Sequence, residues 1–205
     1  MQLKQNEFGM WYQSDIDYDK MNKRYDVNYL IRNSKTNIEM AFLRLGLLSA
    51  FVPYEKLRKS KILELGPGNG ILMASWYSKG IKVEGFDVLD SIYTTIDSNS
   101  VYNIKWDILL AFDVIEHFVD IDDLWKINFE YGFFSVPHPP KEGINSEWRH
   151  YRPNEHIWYF DDVAFEKWIT AYDYLLLYKG TPEDIIRYRW DMNQPNIMTY
   201  IIRRK

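Results

Sequence analysis

A mostly parallel α/β sheet of about six to seven strands, with helices on both faces, is predicted for this sequence by three observations. Short apolar runs recur at Ile62–Leu65, Ile81–Asp87 and Trp106–Asp113, each ended by a glycine turn or an acid. Helix-compatible stretches separate such runs, the alternation that lays strands parallel in one sheet. Trp106–Asp113 is apolar between its acids, so it reads as a central strand covered on both faces.

In chain order, residues 1–33 are polar and ring-rich (Phe8, Trp11, Tyr12, Tyr18, Tyr25, Tyr29) and read as loops with short helical turns. Thr36-Asn-Ile-Glu39 has capping-box form, and Ile38, Ala41, Phe42, Leu45 and Leu48 follow at helical spacing as far as Val52-Pro53. Ile62–Leu65 then breaks into Gly66, Gly68 and Gly70, and Ile71–Tyr77 resumes as a helix stopped by Gly80. Strand, glycine turn and helix together aim backbone N–H groups and a helix N-terminus at a nucleotide-like ligand. Glycine suits that turn because a Cβ would block both positive φ and close approach of the ligand. The third glycine comes one residue too early for G-x-G-x-x-G, with Ile71 in its place, which argues against a dinucleotide and a nicotinamide oxidoreductase.

Ile81–Asp87 reads as the second strand, and Asp87 lies close to the ~20-residue spacing expected of a carboxylate that bonds ribose hydroxyls. That role would put Val88 near the adenine. Between 88 and 106 the sequence suggests a stub of helix at Ser91–Thr95 and a short third strand at Ser100–Ile104. Asp120–Tyr131 reads as a helix with Leu124, Ile127 and Asn128 inward, and Gly132–Pro137 as a fifth strand. The long ring-rich loop His138–Tyr159 should lie over the carboxyl edge of the sheet, where open α/β folds bind ligands. Asp161 and Asp162 cap a helix carrying Phe165, Trp168, Ile169 and Tyr172. Tyr174–Tyr178 and Ile197–Ile202 are the final strands, with Thr181–Pro195 between them as a second candidate lid.

The 205 residues suit one compact domain, and the net charge of −4 opposes a general polyanion binder. With 0 cysteines there is neither a disulfide scaffold nor a thiolate metal site, which fits a reducing, cytoplasmic setting. The first residues lack a signal-peptide core, and no apolar run approaches the ~18 residues of a membrane span. Aromatic residues make up 17% of the chain, enough to furnish a core and to wall a pocket.

Glu64-Leu-Gly-Pro-Gly-Asn-Gly70 resembles motif I of the class I S-adenosylmethionine-dependent methyltransferases. Asp113-Val-Ile-Glu-His-Phe118 resembles the fourth-strand motif of their small-molecule members, including O-methyltransferases of quinone biosynthesis. The resemblance runs over roughly residues 35–205. It implies a single Rossmann-like domain over 1–205: an N-terminal arm and helices over 1–57, a core over 58–205, lid loops at 138–160 and 181–195, and an antiparallel last strand. The arm would cover the cofactor site. S-adenosyl-L-methionine is the implied cofactor, with S-adenosyl-L-homocysteine as product. Glu64, Gly66, Pro67, Gly68, Asn69 and Gly70 would hold it at the glycine turn, Asp87 and Val88 at the adenosine, and Phe112 and Asp113 beside the sulfonium. The family normally places a helix, a third strand and another helix where this chain has 88–106, which leaves Asp97 as the candidate adenine contact.

Methyl transfer from a sulfonium is an in-line displacement, so the protein aligns the nucleophile and excludes water, and a base is needed only where a proton must leave. His138, His156 and His117 are the candidate bases, and His150 reads as surface. Asp113-x-x-Glu116-His117 also resembles the E-x-x-E-H cluster that holds a divalent ion in quinone O-methyltransferases and small-RNA 2′-O-methyltransferases. A later histidine would complete a set suited to Mg²⁺ or Mn²⁺, although many relatives carry the motif with no metal. Lys141, Arg149 and Arg152 read as a solvated loop, or as a grip on a substrate carboxylate or phosphate.

The function expected from all this is transfer of a methyl group to a small-molecule acceptor at oxygen. The protein would be a monomer or homodimer with no membrane or nucleic-acid partner. Base methylation is opposed because the fourth strand ends in Asp113-Val-Ile-Glu116 rather than an N/D-P-P-aromatic motif. The alternatives are a divalent-metal-dependent O-methyltransferase, RNA 2′-O-methylation included, and a non-catalytic cofactor-binding relative.

Overall fold

The computed structural model describes residues 2–24, 37–88, 92–187 and 195–205. Its strands are β1 (Leu3–Gln5), β2 (Trp11–Gln13), β3 (Ile62–Leu65), β4 (Glu84–Phe86), β5 (Trp106–Phe112), β6 (Phe129–Pro137), β7 (Trp158–Tyr159), β8 (Tyr174–Gly180) and β9 (Ile197–Arg204). Six of them form one sheet in the order β4-β3-β5-β6-β9-β8. The first four run parallel, and β9 lies antiparallel between β6 and β8. This is the expected mixed α/β sheet, with its switch of direction at β3, from which the chain moves outward to β4 and then back to β5. Ligands of open α/β sheets bind at such a switch, beyond the strand carboxyl ends.

Each face of the sheet carries its own core. On one side Ile62, Ile108, Leu110 and Phe133 pack under the helix Ile38–Ser49 and the helix Ile71–Tyr77. Trp76 Nε1 donates to the Ala41 carbonyl at 2.8 Å, fixing those two helices to each other. On the other side Leu63, Leu109, Phe134 and Tyr200 pack with the helix Asp162–Ala171, where the Phe165 ring stacks on Tyr200 at 3.8 Å. Asp161 caps that helix by accepting from Ala164 N at 2.7 Å, as the sequence predicts.

Several expectations are corrected. Asn37 is the N-cap of the helix Ile38–Ser49, accepting from Met40 N at 2.8 Å; Thr36 lies outside the described residues. Ile38 and Phe42 are exposed at 58% and 37%, and the buried stripe is Met40, Ala41, Arg44, Leu45 and Leu48. Ser100–Ile104 is no strand: Ser98–Asn103 is a helix, and Asp97 is its cap, accepting from Ser100 N at 2.7 Å. A short polar segment behind a capping aspartate gains more from closing a helical turn than from an edge pairing. Residues 92–95 are turn and coil; Ser91 lies outside the described residues. Asp120–Tyr131 is not one helix. A 3₁₀ turn covers Ile121–Lys126, and the strand begins at Phe129, because ring and β-branched residues suit the pleat better than a helix.

The N-terminal arm differs most. Its strands β1 and β2 pair antiparallel, and β2 pairs in turn with β7, setting Trp11 opposite Tyr159 and Tyr12 opposite Trp158. Gln13 and Asn154 exchange two hydrogen bonds, at 2.9 and 2.8 Å. The described part of the arm is therefore fastened to the 138–160 loop, and residues 25–36, Tyr25 and Tyr29 among them, lie outside the described residues.

Candidate active site

The turn after β3 is made by three glycines with φ of 62°, 56° and 67° at Gly66, Gly68 and Gly70. Gly66 N donates to Phe86 O at 2.8 Å, and Asn69 Oδ1 accepts from Ile71 N at 3.1 Å. A Cβ on Gly66 would lie 2.6 Å from Val114 Cγ2, so sterics and dihedral both demand glycine there. Pro67 completes the turn. Because Leu65 pairs with Phe86, Asp87 leaves β4 directly beside the turn, followed by Val88 at 83% exposure. On the other side of β3, Phe112 ends β5, and Asp113 turns away with φ of 55°. Glycine turn, Asp87 and Asp113 thus emerge from three adjacent strand ends. Asp97, serving as a helix cap, is not among them.

Beneath this edge runs a buried chain of charges that the sequence reading missed. Asp113 Oδ2 accepts from Arg187 Nη2 at 2.7 Å, and the same nitrogen lies 2.8 Å from Glu183 Oε2. Glu183 Oε1 accepts from Arg44 Nε at 2.7 Å, and the Arg44 guanidinium covers the Phe112 ring at 3.7 Å. Arg44 and Glu183 are 2% and 1% exposed, so neither charge reaches water and each depends on the other. Burial opposes the Glu183 charge, but Arg44 and Arg187 outweigh it and hold the carboxyl below its ordinary range. Glu64 is buried on this side as well. Burial pushes its carboxyl up to about 8, against the opposing pull of Arg44, and its Oε2 has no hydrogen-bond partner among the described residues. Arg44 was readable in principle: it is a charge set on an apolar helical stripe.

The histidines form two groups. His117 Nδ1 lies 2.7 Å from the Glu155 carbonyl, which can only accept, so Nδ1 carries the proton and Nε2 offers its lone pair. That Nε2 is 3.8 Å from Glu116 Oε1, and the His156 ring stands edge-on to His117 at 4.8 Å. Ligand atoms of Glu116, His117 and His156 all lie within 4.8 Å of one another. Asp113, expected in that set, is committed to Arg187. Burial lowers the pKa of His117 and, with His117 alongside, lowers that of His156 well below the usual value, so both imidazoles are neutral near pH 7. His156 Nδ1 has no partner among the described residues. His150 is buried at 2% rather than on the surface, parallel to His156 at 6.1 Å and 2.8 Å from Asn196 Oδ1.

His138 belongs to the second group. Its Nε2 lies 3.4 Å from Asp162 Oδ1, which also accepts from Tyr200 OH at 3.0 Å. The His138 contact, more than the Tyr200 and Lys179 contacts, holds the Asp162 carboxyl down at about 2. Asn196 joins the groups, its carbonyl accepting from His138 N at 3.1 Å. Of the loop cations, Arg152 pairs with Glu155 at 2.6 Å and Lys141 is exposed.

Among the described residues, no helix is long and apolar enough to cross a membrane. No curated protein matches the sequence. Solved structures share the fold at low identity. Magnesium protoporphyrin IX methyltransferase from Synechocystis PCC 6803 with bound SAH has a TM-score of 0.57 at 13% identity, covering 92% of this chain and 100% of that one. A SAM-dependent methyltransferase from Archaeoglobus fulgidus gives 0.57 at 14%, covering 87% and 100%. One from Clostridium acetobutylicum ATCC 824 gives 0.54 at 12%, covering 91% and 98%. The sequence profile of the family described as "Methyltransferase domain" matches residues 39–179. With well over half of its length inside that match, the chain belongs to the methyltransferase-domain family.

Proposed function

We propose that this methyltransferase moves the methyl group of S-adenosyl-L-methionine to an oxygen of a small-molecule acceptor. The observation that carries the reading is the convergence of the glycine turn, Asp87 and Asp113 at three adjacent strand ends, with the neutral imidazole of His117 on the turn that follows Asp113 and that of His156 brought beside it from the 138–160 loop. When bound, the sulfonium supplies an activated methyl group, and in-line displacement requires alignment and dryness from the protein. The bare main chain of the turn, Gly66, Pro67, Gly68, Asn69 and Gly70, gives the cofactor room for close approach, and Glu64 supports its methionine end. Asp87 accepts from the ribose hydroxyls, Val88 lies near the adenine, and Phe112 and Asp113 flank the sulfonium. His117, protonated on Nδ1 by its bond to Glu155, keeps Nε2 ready to take a hydroxyl proton, with His156 edge-on beside it. His138, oriented by Asp162, is a second base at the rim. The 138–160 loop shapes the acceptor pocket together with residues 181–187 of the second candidate lid, whose residues 188–194 lie outside the described residues.

The grouping of Glu116, His117 and His156 favours one second reading, a divalent ion held there that polarises the acceptor hydroxyl. Dialysis against a chelator separates the two: turnover that persists supports the base, and turnover restored only by added metal supports the ion. The overall reading is tested by titration with S-adenosyl-L-homocysteine and by transfer of labelled methyl to a panel of hydroxylated metabolites. An absence of binding heat, with Asp87→Ala leaving transfer unchanged, would remove it. Tight binding without turnover across the panel would favour a non-catalytic relative, and label transferred to RNA would favour the nucleic-acid variant.

A further inference from the structure

We infer that Tyr93 is the aromatic wall of the adenine pocket, taking the place of the third strand and its flanking helix. The inference rests on the cofactor reading above and names a residue that reading leaves out. Its grounds are two glycines whose missing side chains make room for Tyr93. A Cβ on Gly70, the last glycine of the turn, would lie 2.2, 2.3 and 2.7 Å from Tyr93 Cδ1, Cε1 and Cγ. The ring therefore lies directly against the glycine turn. Gly85 sits in the middle of β4, where glycine weakens a strand unless another main chain must come close. A Cβ there would meet the Tyr93 carbonyl oxygen at 2.2 Å, with Pro67 Cγ and Met73 Sδ each at 3.1 Å. Gly85 does not have positive φ, so its use is to let the Tyr93 peptide cross the strand.

Thr95 pins that crossing. Its N donates to Gly85 O at 2.9 Å, its Oγ1 accepts from Gly85 N at 2.9 Å, and the same hydroxyl donates to Glu84 Oε2 at 2.8 Å. None of residues 92–105 is in a strand, so this crossing stands where the sheet would otherwise continue past β4. Tyr93 is half-buried, unlike the fully buried rings of the core. Val88 and Ile92, just beyond Asp87 and just before Tyr93, expose 83% and 86% of their surface. Apolar side chains and a ring beside a ribose-binding carboxylate suit a purine, which stacks on aromatic faces with little need for hydrogen bonds.

The test is calorimetric titration of S-adenosyl-L-homocysteine into wild type, Asp87→Ala, Tyr93→Phe, Tyr93→Leu and Tyr93→Ala. Base stacking on a ring is lost on truncation at a cost of roughly tenfold or more in affinity. Tyr93→Phe should bind within about twofold of wild type, while Tyr93→Leu and Tyr93→Ala should bind about tenfold more weakly. Tyr93→Leu keeps apolar bulk over Gly70, so it reports on the ring even if Tyr93→Ala fails to fold. If wild type binds and Asp87→Ala does not, yet Tyr93→Leu matches wild type, the wall is overturned and the cofactor reading stands. Tighter binding by Tyr93→Leu or Tyr93→Ala would make the ring an obstruction and overturn the wall equally. If wild type does not bind at all, both inferences fall together.

Discussion

The glycine-turn side of the carboxyl edge and the imidazole side are built by opposite means. On the first, contiguous main chain does the work: three left-handed glycines and an acid leaving the next strand. On the second, side chains from distant segments are brought together and buried, with Glu116 and His117 from one turn, His156 from a loop, and Arg187 and Glu183 from beyond β8. Local main-chain geometry tolerates change elsewhere in the molecule. An assembly of buried charges and neutral imidazoles does not, because each member left without its partner bears the full cost of desolvation.

The contrast breaks most visibly at His117. His117→Gln should cut methyl transfer by about 10²–10⁴-fold if the imidazole is the base, while S-adenosyl-L-homocysteine affinity stays within a fewfold of wild type. Comparable losses in both would mean the two sides are not separable. Next comes the charge chain. Arg44→Leu should cost about 3–5 kcal/mol in urea denaturation, and the double variant Arg44→Leu/Glu183→Leu markedly less than twice that. Additive losses would show that the two side chains do not depend on each other.

Asp87→Asn sharpens the glycine side. It should weaken S-adenosyl-L-homocysteine by about tenfold to a hundredfold, the worth of hydrogen bonds to a charged group, with little change in Tm. The smallest effect concerns Glu64. Its carboxyl is raised from 4.5 to about 8, so its protonated form is the stabilised one, and stability should fall as pH rises between those values. Glu64→Gln should flatten that slope and raise the stability of the empty protein at pH 7 by about 1–3 kcal/mol. His156 adds the opposite slope: its depressed pKa means stability lost as pH falls below the ordinary 6.5, a decline that His156→Gln should remove.

How much of this was legible in the sequence follows the same division. The strands β3, β5, β8 and β9, the helix Ile71–Tyr77 and the Asp161 cap could be read because hydrophobic period, glycine and cap are local signals. Asp120–Tyr131 misled because ring-rich segments between turns have no decisive period, and sheet pairing at Phe129 overrode the helical reading. Arg44, Glu183 and Arg187 left only faint marks, since an ion pair that closes 139 residues of chain has no local spacing to betray it. His150 read as surface from its polar neighbours, whereas Asn196 and the flanking rings draw it inward. The short 88–106 stretch stands out as a departure in the sequence, but nothing local marks Tyr93, because its place is set by the Gly70 and Gly85 faces that meet it.

The exchange of hydrogen bonds between Gln13 and Asn154 spans 141 residues. A contact that far apart in the chain closes late, since the entropy of so large a loop must be met before any gain from pairing. During refolding, the glycine-turn side should therefore mature before the seam that joins β2 to β7. Fusing bulky sequence ahead of Leu3 should disturb which acceptor is accepted long before it disturbs whether the donor is held.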